Sequence, residues 1–295
     1  MYLDLSEINF AIIVPFARRS NDPEFLLLIH QCVYSVKRQS FQNWTLVLVG
    51  DGLIAADFEK VNKKLKSIIP QDKLISLNMN ESKKEENVLK GLDLSKFNCN
   101  LWCFGGSNAL NEGLDYVARN LSFITHVAIT CDDDKWKETH LEYLANAYNI
   151  DRSVGFANSR VIFSDDHSHF FPGLNEEERK SHFSYRAPVA SRQHISSTSW
   201  SFLIPELRVL RFRGPLEQFA SKRSNSSICC DGGFCGLIPC RTGLVMANDA
   251  DMWERINRLI VDEKFKSIIV HHITVEVLSN NKEPLLNKLY NKQYN

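Results

Sequence analysis

Two apolar runs in this chain end on carboxylates. "WTLVLVG" (44–50) stops at Asp51-Gly52, and "FITHVAIT" (123–130) stops at Cys131-Asp132-Asp133-Asp134. Short continuous apolar runs bounded by turns read as parallel strands buried on both faces. The carboxyl ends of such strands are where α/β sheets hold ligands. Three consecutive carboxylates repel one another and need compensation. Water and a following helix N-terminus would supply it. The functional alternative is that Asp132 and Asp134, two apart in an extended turn, lie on one side and offer oxygens to a hard divalent cation. Mg²⁺ and Mn²⁺ accept such ligands and complete their shells with phosphate and water. A further acidic pair, Asp249 and Asp251, opens "NDADMWERI" (248–256), where helix capping by Asn248 or Asp249 is the plain alternative.

Other residues able to do chemistry carry weaker patterns. His271 and His272 are adjacent in the strand candidate 265–278, so they point to opposite faces and at most one reaches a given site. Cys229, Cys230, Cys235 and Cys240 lack a paired C-x-x-C spacing and read as free thiols rather than a zinc site. His167, His169, His182 and His194 fall in a polar stretch and read as solvated loop residues. Trp200 and Trp253 could stack on sugar faces, against core packing as the ordinary role of Trp253.

The elements that must position these groups alternate. "FAIIVPF" (10–16) is a strand; the helix after it has Pro23 at its start and Phe25, Ile29, Cys32, Val33 and Val36 on one face. A strand over 44–50, a helix over 55–67 and a strand over 73–79 follow. Next come a helix over 107–120 with Leu110, Leu114 and Val117 on one side, a strand over 123–130 and a helix over 136–148. The charged stretch 80–96 reads as solvated loop or surface helix. This alternation predicts a mostly parallel sheet flanked by helices, an α/β fold. Beyond it, 164–200 reads as a long polar loop or lid, 229–243 as Gly-rich turns, and 248–260 as a helix through Met252, Ile256, Leu259 and Ile260. Residues 279–295 form a polar tail.

The chain has 295 residues, 35 basic and 35 acidic, with 44% hydrophobic residues. That composition suits one large or two small globular domains. Zero net charge disfavours a general nucleic-acid or membrane-surface binder. No stretch reaches the roughly 20 apolar residues of a membrane span, and the N-terminus lacks a secretory pattern. Eight cysteines are then expected to be reduced thiols in a cytoplasmic protein.

"IIVPFARR", "CVYSVKRQSFQNWTLVLVGDG", "GGSNALNEGLDYVARN" and "THVAITCDDDKWKETHLEYL", in that order, resemble the family-2 glycosyltransferases of the GT-A fold. The likeness covers residues 10 to 145 and continues more weakly to about 275. It implies one GT-A domain over 1–295, with a nucleotide-sugar donor half (8–135) and an acceptor half (136–278). By the resemblance, Asp51 reads the nucleotide base, and Val14, Pro15 and Phe16 line its pocket. Asn111 and Asp133 contribute to donor binding. Asp132 and Asp134 hold Mn²⁺ or Mg²⁺, assisted by His271 or His272. "NDADMWERI" resembles the family's Glu-Asp-x-Asp-Leu-Trp-x-Arg segment, which makes Asp249 the catalytic base with Asp251 as runner-up.

Four positions depart from the family, one of them Leu53, which replaces the Ser of the base-reading turn. Gly50 replaces the first Asp of the base-reading turn, Leu110 replaces an Arg that contacts the diphosphate, and Asn248 replaces a Glu. Arg18, Arg19 and Lys135 are candidates to replace the missing cation. The reading is a metal-dependent inverting glycosyltransferase that moves a sugar from a nucleotide donor, a UDP-sugar, to a hydroxyl of a glycan or other acceptor. The alternatives are a GT-A scaffold that binds a nucleotide sugar or partner without catalysis, and a nucleotidyltransferase. Against the latter, "IIVPFARRSNDPE" has no glycine with which to cradle phosphates. Donor sugar, acceptor, linkage and oligomeric state are not encoded in any motif.

Overall fold

The computed structural model describes residues 5–17, 24–79, 106–151, 153–163, 199–204, 211–212, 237–240, 243–246, 251–252, 255–256, 259 and 266–277. Strands β1 (Phe10–Phe16), β2 (Trp44–Gly50), β3 (Leu74–Asn78) and β4 (His126–Ile129) carry the apolar runs. They pair in parallel in the order β3-β2-β1-β4. The sheet continues through β7 (Trp200–Leu203), β6 (Val154–Phe163), β10 (Lys266–Val277) and β5 (Lys135–Trp136), giving eight strands. β7 runs antiparallel to both β4 and β6, β5 runs antiparallel to β10, and β6 and β10 are parallel. A separate hairpin pairs β8 (Leu237–Cys240) with β9 (Gly243–Met246).

Helices α1 (Glu24–Lys37), α2 (Ala55–Lys66), α3 (Ser107–Asn120) and α4 (His140–Ile150) cover the sheet. Alternation along β1 divides the core. Phe10, Ile12, Val14 and Phe16 join Ile29, Val33 and Val36 of α1, Val61 and Leu65 of α2, and Leu141, Leu144 and Tyr148 of α4. Ala11 and Ile13 face the other way, towards Leu110, Leu114 and Val117 of α3 and towards Met252 and Ile256. The apolar periods of α1 and α3 are therefore buried as their spacing requires. α3 lies hard against the sheet. A Cβ on Gly113 would come within 2.6 Å of Ile13 Cγ2 and 3.2 Å of Val49 Cγ2.

The second half differs from the sequence expectation in identifiable ways. The helix expected from residue 136 begins at His140. Lys135 and Trp136 instead pair with Glu276 and Val275, an edge strand that only a partner far along the chain could create. β6, "VGFANSRVIF", has Asn158, Ser159 and Arg160 at its centre, which hides its strand character from a reading by apolar runs. Ser159 is accommodated there because Thr274 Oγ1 donates to its hydroxyl at 2.6 Å. The stretch expected as turns over 229–243 contains β8 and the first residue of β9, which pair antiparallel. No described helix is long and apolar enough to cross a membrane. Residues 80–96, 164–198 and 278–295 lie outside the described residues.

Candidate active site

Strand order reverses between β1 and β4, since β1 leads out to β2 and β3 on one side while β4 lies on the other. The β1–β4 ladder stops at Ile13↔Ile129, with one further bond from Thr130 N–H to Ile13 O at 3.1 Å. Beyond it the two strand ends part beside Pro15. This is the switch-point crevice in which open α/β sheets bind ligands. The Asp51 turn follows β2 and the Cys131–Asp134 loop follows β4, so both lie at the carboxyl end of the sheet on either side of β1. The N-terminus of α3 approaches Pro15, where Gly106 takes a left-handed φ of 75° and a Cβ on it would meet Pro15 Cβ at 3.6 Å.

Asp51 is buried, and its backbone N–H donates to Phe16 O at 2.8 Å. Asn78 at the end of β3 holds the turn. Its Oδ1 accepts from Leu53 N–H at 3.1 Å and its Nδ2 donates to Leu53 O at 2.8 Å. The same side chain explains Gly50, because a Cβ there would sit 2.5 Å from Asn78 Oδ1. Val14 and Phe16 are buried, and Phe16 stacks on Phe58 of α2 with centroids 6.1 Å apart.

On the other side, Asp134 N–H donates to Cys131 O at 3.2 Å, closing a four-residue turn. Asp132 and Asp134 are buried, while Cys131 and Asp133 are half-buried. The ligand atoms of Cys131, Asp133 and Asp134 lie within 4.8 Å of one another. Ligands of one divalent cation, at roughly 2 to 2.5 Å from it, span about that distance. The donor set thus fits a cation. Asp132 is outside that trio, and its charge acts on the interior. Burial pushes the Cys32 thiol well above its usual range, and the charges of Asp134, Asp132 and Asp133 push the same way, partly offset by a bond with Thr130.

The acidic loop is held from behind by α1. Cys32 Sγ donates to Cys131 O at 3.2 Å, and Trp136 N–H donates to Ser35 Oγ at 3.1 Å. Gln39 Nε2 donates to Lys137 O at 2.8 Å, and Gln39 Oε1 accepts from Leu141 N–H at 2.9 Å. Thr139, the N-cap of α4, makes no side-chain capping bond, so Gln39 caps that helix from another element. Ser40 N–H donates to Glu138 O at 2.7 Å, and Arg38 pairs with Glu138. This is the work of Ser35, Gln39 and Ser40, which lie in the stretch "CVYSVKRQS" and to which the sequence assigned no role.

The remaining candidates are dispersed. Asn111 Nδ2 donates to Phe212 O at 2.9 Å, and Phe212 N–H donates to Asn111 Oδ1 at 2.9 Å, so its amide clamps residue 212 onto α3. Leu110 is buried in the cluster that contains Phe212, Met252 and Ile256, a place that would strand an Arg charge. Asp251 is buried, and Arg255 Nε donates to its Oδ2 at 3.1 Å. Arg255 Nη2 also donates to Arg211 O at 2.6 Å, linking this helical stretch to the segment that Asn111 holds. Arg255, which matches the last residue of the family segment, had been assigned nothing. Asp249, Arg18 and Arg19 lie outside the described residues. Lys135 is half-buried at the exit of the acidic loop.

The two histidines interrupt the β10 ladder. Val270↔Ser159 is followed by Ile273↔Arg160, so His271 and His272 form a bulge without partners on β6. His272 is exposed and stacks on Tyr143 of α4 at 4.3 Å. The side chain of His271 lies outside the described residues. His140, at the start of α4, is fully buried; its Nδ1 is 2.8 Å from Thr274 Oγ1, and burial lowers its pKa to about 3.

Comparison with known proteins supports the resemblance to the family-2 glycosyltransferases. The chain is 30% identical over 183 residues to an uncharacterized glycosyltransferase of Acanthamoeba polyphaga mimivirus, a match covering 60% of this chain and 66% of the viral protein, slightly under two thirds. Among solved structures, S. aureus TarS 1-349 in complex with UDP-GlcNAc superposes with a TM-score of 0.54 at 13% identity, over 94% of this chain and 60% of that one. Another TarS structure gives 0.51 at 13% identity, over 92% of this chain and 37% of that one. These likenesses show the fold, which is GT-A. No family model matches the chain.

Proposed function

We propose that this chain, a GT-A-fold relative of the family-2 glycosyltransferases, transfers a sugar from a UDP-sugar to an acceptor hydroxyl with inversion, using a bound divalent cation. The observation that carries this reading is that Asp51 follows β2 and Asp133 and Asp134 follow β4, the parallel neighbours of β1, so that all three lie at the carboxyl end of the sheet. The N-terminus of α3 reaches Pro15 of β1 between them in strand order. That spacing of functions suits a nucleoside diphosphate, with its base at the β2 side and its phosphates near the acids.

In this reading Asp134 and Asp133 hold Mn²⁺ or Mg²⁺, which when bound stabilises negative charge on the departing nucleoside diphosphate. Asp51 accepts a hydrogen bond from the base. The α3 N-terminus directs backbone N–H groups towards the phosphates. Removal of the acceptor proton falls to Asp249, because Arg255 already engages the Asp251 carboxylate. A positioned carboxylate base contributes roughly 10² to 10⁴ in rate. A cytoplasmic location belongs to the same proposal.

Titration of the protein with UDP by calorimetry, with Mn²⁺ and then with EDTA, tests the reading. UDP is expected to bind in a cation-dependent manner, and Asp134→Ala is expected to remove that dependence. Binding indifferent to the cation, or unchanged in Asp134→Ala, would remove the acidic loop from the site. Release of UDP from a panel of UDP-sugars then separates an enzyme from a binding scaffold.

A further inference from the structure

We propose that Cys131 supplies a sulfur ligand to the cation of this site, so that the site prefers thiophilic cations over Mg²⁺. The inference rests on the cation reading above and adds to it a determinant of metal choice. Three observations support it. The Cys131 sulfur and the Asp133 and Asp134 carboxylates all lie within 4.8 Å of one another, so the sulfur belongs to the same group of ligand atoms as the two acids. The turn closed by Asp134 N–H on Cys131 O brings the first and last side chains of the loop together. The Cys32 thiol is itself fully buried and donates to the Cys131 carbonyl at 3.2 Å, which fixes the backbone orientation of Cys131 from inside the protein.

Donor chemistry sets the consequence. Carboxylate and water oxygens suit Mg²⁺, Ca²⁺ and Mn²⁺, whereas thiolate sulfur selects softer ions such as Zn²⁺ and Cd²⁺ and contributes little to Mg²⁺. A site with two carboxylates and one sulfur accepts Mn²⁺ through its oxygens and gains specifically for the softer ions. Cys131 is half-buried, which leaves it accessible to an entering ion.

The test titrates the full chain with Cd²⁺, Mn²⁺ and Mg²⁺ in a phosphine reductant, following heat and the ultraviolet sulfur-to-cadmium charge-transfer band. The parent is expected to show this band and to bind Cd²⁺ more tightly than Mg²⁺. Cys131→Ser is expected to lose the part of the band that saturates first and to weaken Cd²⁺ about tenfold or more, leaving Mg²⁺ within about threefold. Cys131→Asp, which places a third carboxylate there, is expected to tighten Mg²⁺ and weaken Cd²⁺. Circular dichroism confirms that each variant folds. A Cys131→Ser protein with the parental band and the parental Cd²⁺ to Mg²⁺ ratio overturns the inference. If Asp134→Ala abolishes cation binding while both Cys131 variants keep parental selectivity, the sulfur assignment fails and the cation reading stands. If Asp134→Ala binds every cation as the parent does, both fail.

Discussion

Replacing Gln39 by Met keeps the length of the side chain and removes its polar end, which isolates what the bridge from α1 to the acidic loop contributes. Gln39 is 1% exposed, so no water stands ready to replace it. Its loss leaves Leu141 N–H, in the uncapped first turn of α4, without its acceptor. Lys137 O loses the 2.8 Å donor but keeps the bond from His140 N–H. A buried donor left unsatisfied costs about 1 to 3 kcal/mol, and a lost ordinary hydrogen bond about 1 kcal/mol, for a total of about 2 to 4 kcal/mol. Urea unfolding of parent and variant, followed by far-ultraviolet circular dichroism, measures it. Gln39→Glu should destabilise at least as much, because a buried carboxylate would face the Ser35 and Lys137 carbonyl oxygens. Nucleotide affinity in Mn²⁺ should also weaken by about tenfold, the low end for removing support behind metal ligands. A Gln39→Met protein within about 0.5 kcal/mol of the parent would show that the loop holds itself, refuting the assignment of the bridge.

Further outcomes follow from other residues. Asp51→Ala should weaken UDP binding by about 1.5 to 3 kcal/mol, the value of a hydrogen bond to a charged group, with little change in unfolding; equal calorimetric affinity would reduce Asp51 to a turn residue. Asp249→Asn should lower sugar transfer by roughly 10² or more while UDP binding stays parental, and normal transfer in that variant would move the base elsewhere. Gly113→Ala should destabilise by about 1 to 3 kcal/mol, since its methyl would press on Ile13 and Val49; a thermal midpoint equal to the parent's would show that α3 can lift. Burial lowers His126 to about 4 and His140 to about 3, from 6.5. Both stay neutral in the folded protein as pH falls below 6.5, whereas the unfolded chain takes up protons, so stability drops through that window. From pH 7 to 5 the loss is about 2 kcal/mol for each histidine. A His126→Asn/His140→Asn protein should lack that share of the pH dependence in urea unfolding, and an identical pH slope would contradict the burial argument.

The parallel half of the sheet was legible because its strands are buried on both faces and so appear as unbroken apolar runs. Phe10–Phe16, Trp44–Gly50 and His126–Ile129 all fall inside the ranges read from the sequence, and Ser107–Asn120 matches its helix. β5 and β6 were not legible. Lys135-Trp136 is a strand only because Val275 and Glu276 arrive beside it, and Ser159 tolerates burial because its hydroxyl meets Thr274 and His140. The acids of the candidate site were visible as strand-end carboxylates. The closeness of the Cys131 sulfur to the Asp133 and Asp134 carboxylates was not visible, because it depends on the turn that the loop makes. Arg255 and Gln39 escaped notice because their partners, Arg211 O, Lys137 O and Leu141 N–H, are backbone atoms with no sequence signature.

The bonds from α1 to the acidic loop also bear on how such a protein can change over generations. The bonds from Cys32, Ser35 and Gln39, and from the Ser40 N–H, end on the loop's main chain: Cys131 O, Trp136 N–H, Lys137 O, Leu141 N–H and Glu138 O. Those bonds hold the path of the chain whatever side chains decorate residues 131 to 134. Substitutions at those four side chains therefore leave these main-chain bonds in place, whereas the residues of α1 that make them are constrained one by one. Variation that explores new chemistry is cheap in the acidic loop and expensive in the helix behind it, so a library meant to retune this site belongs at Cys131 to Asp134 with Ser35 and Gln39 left alone.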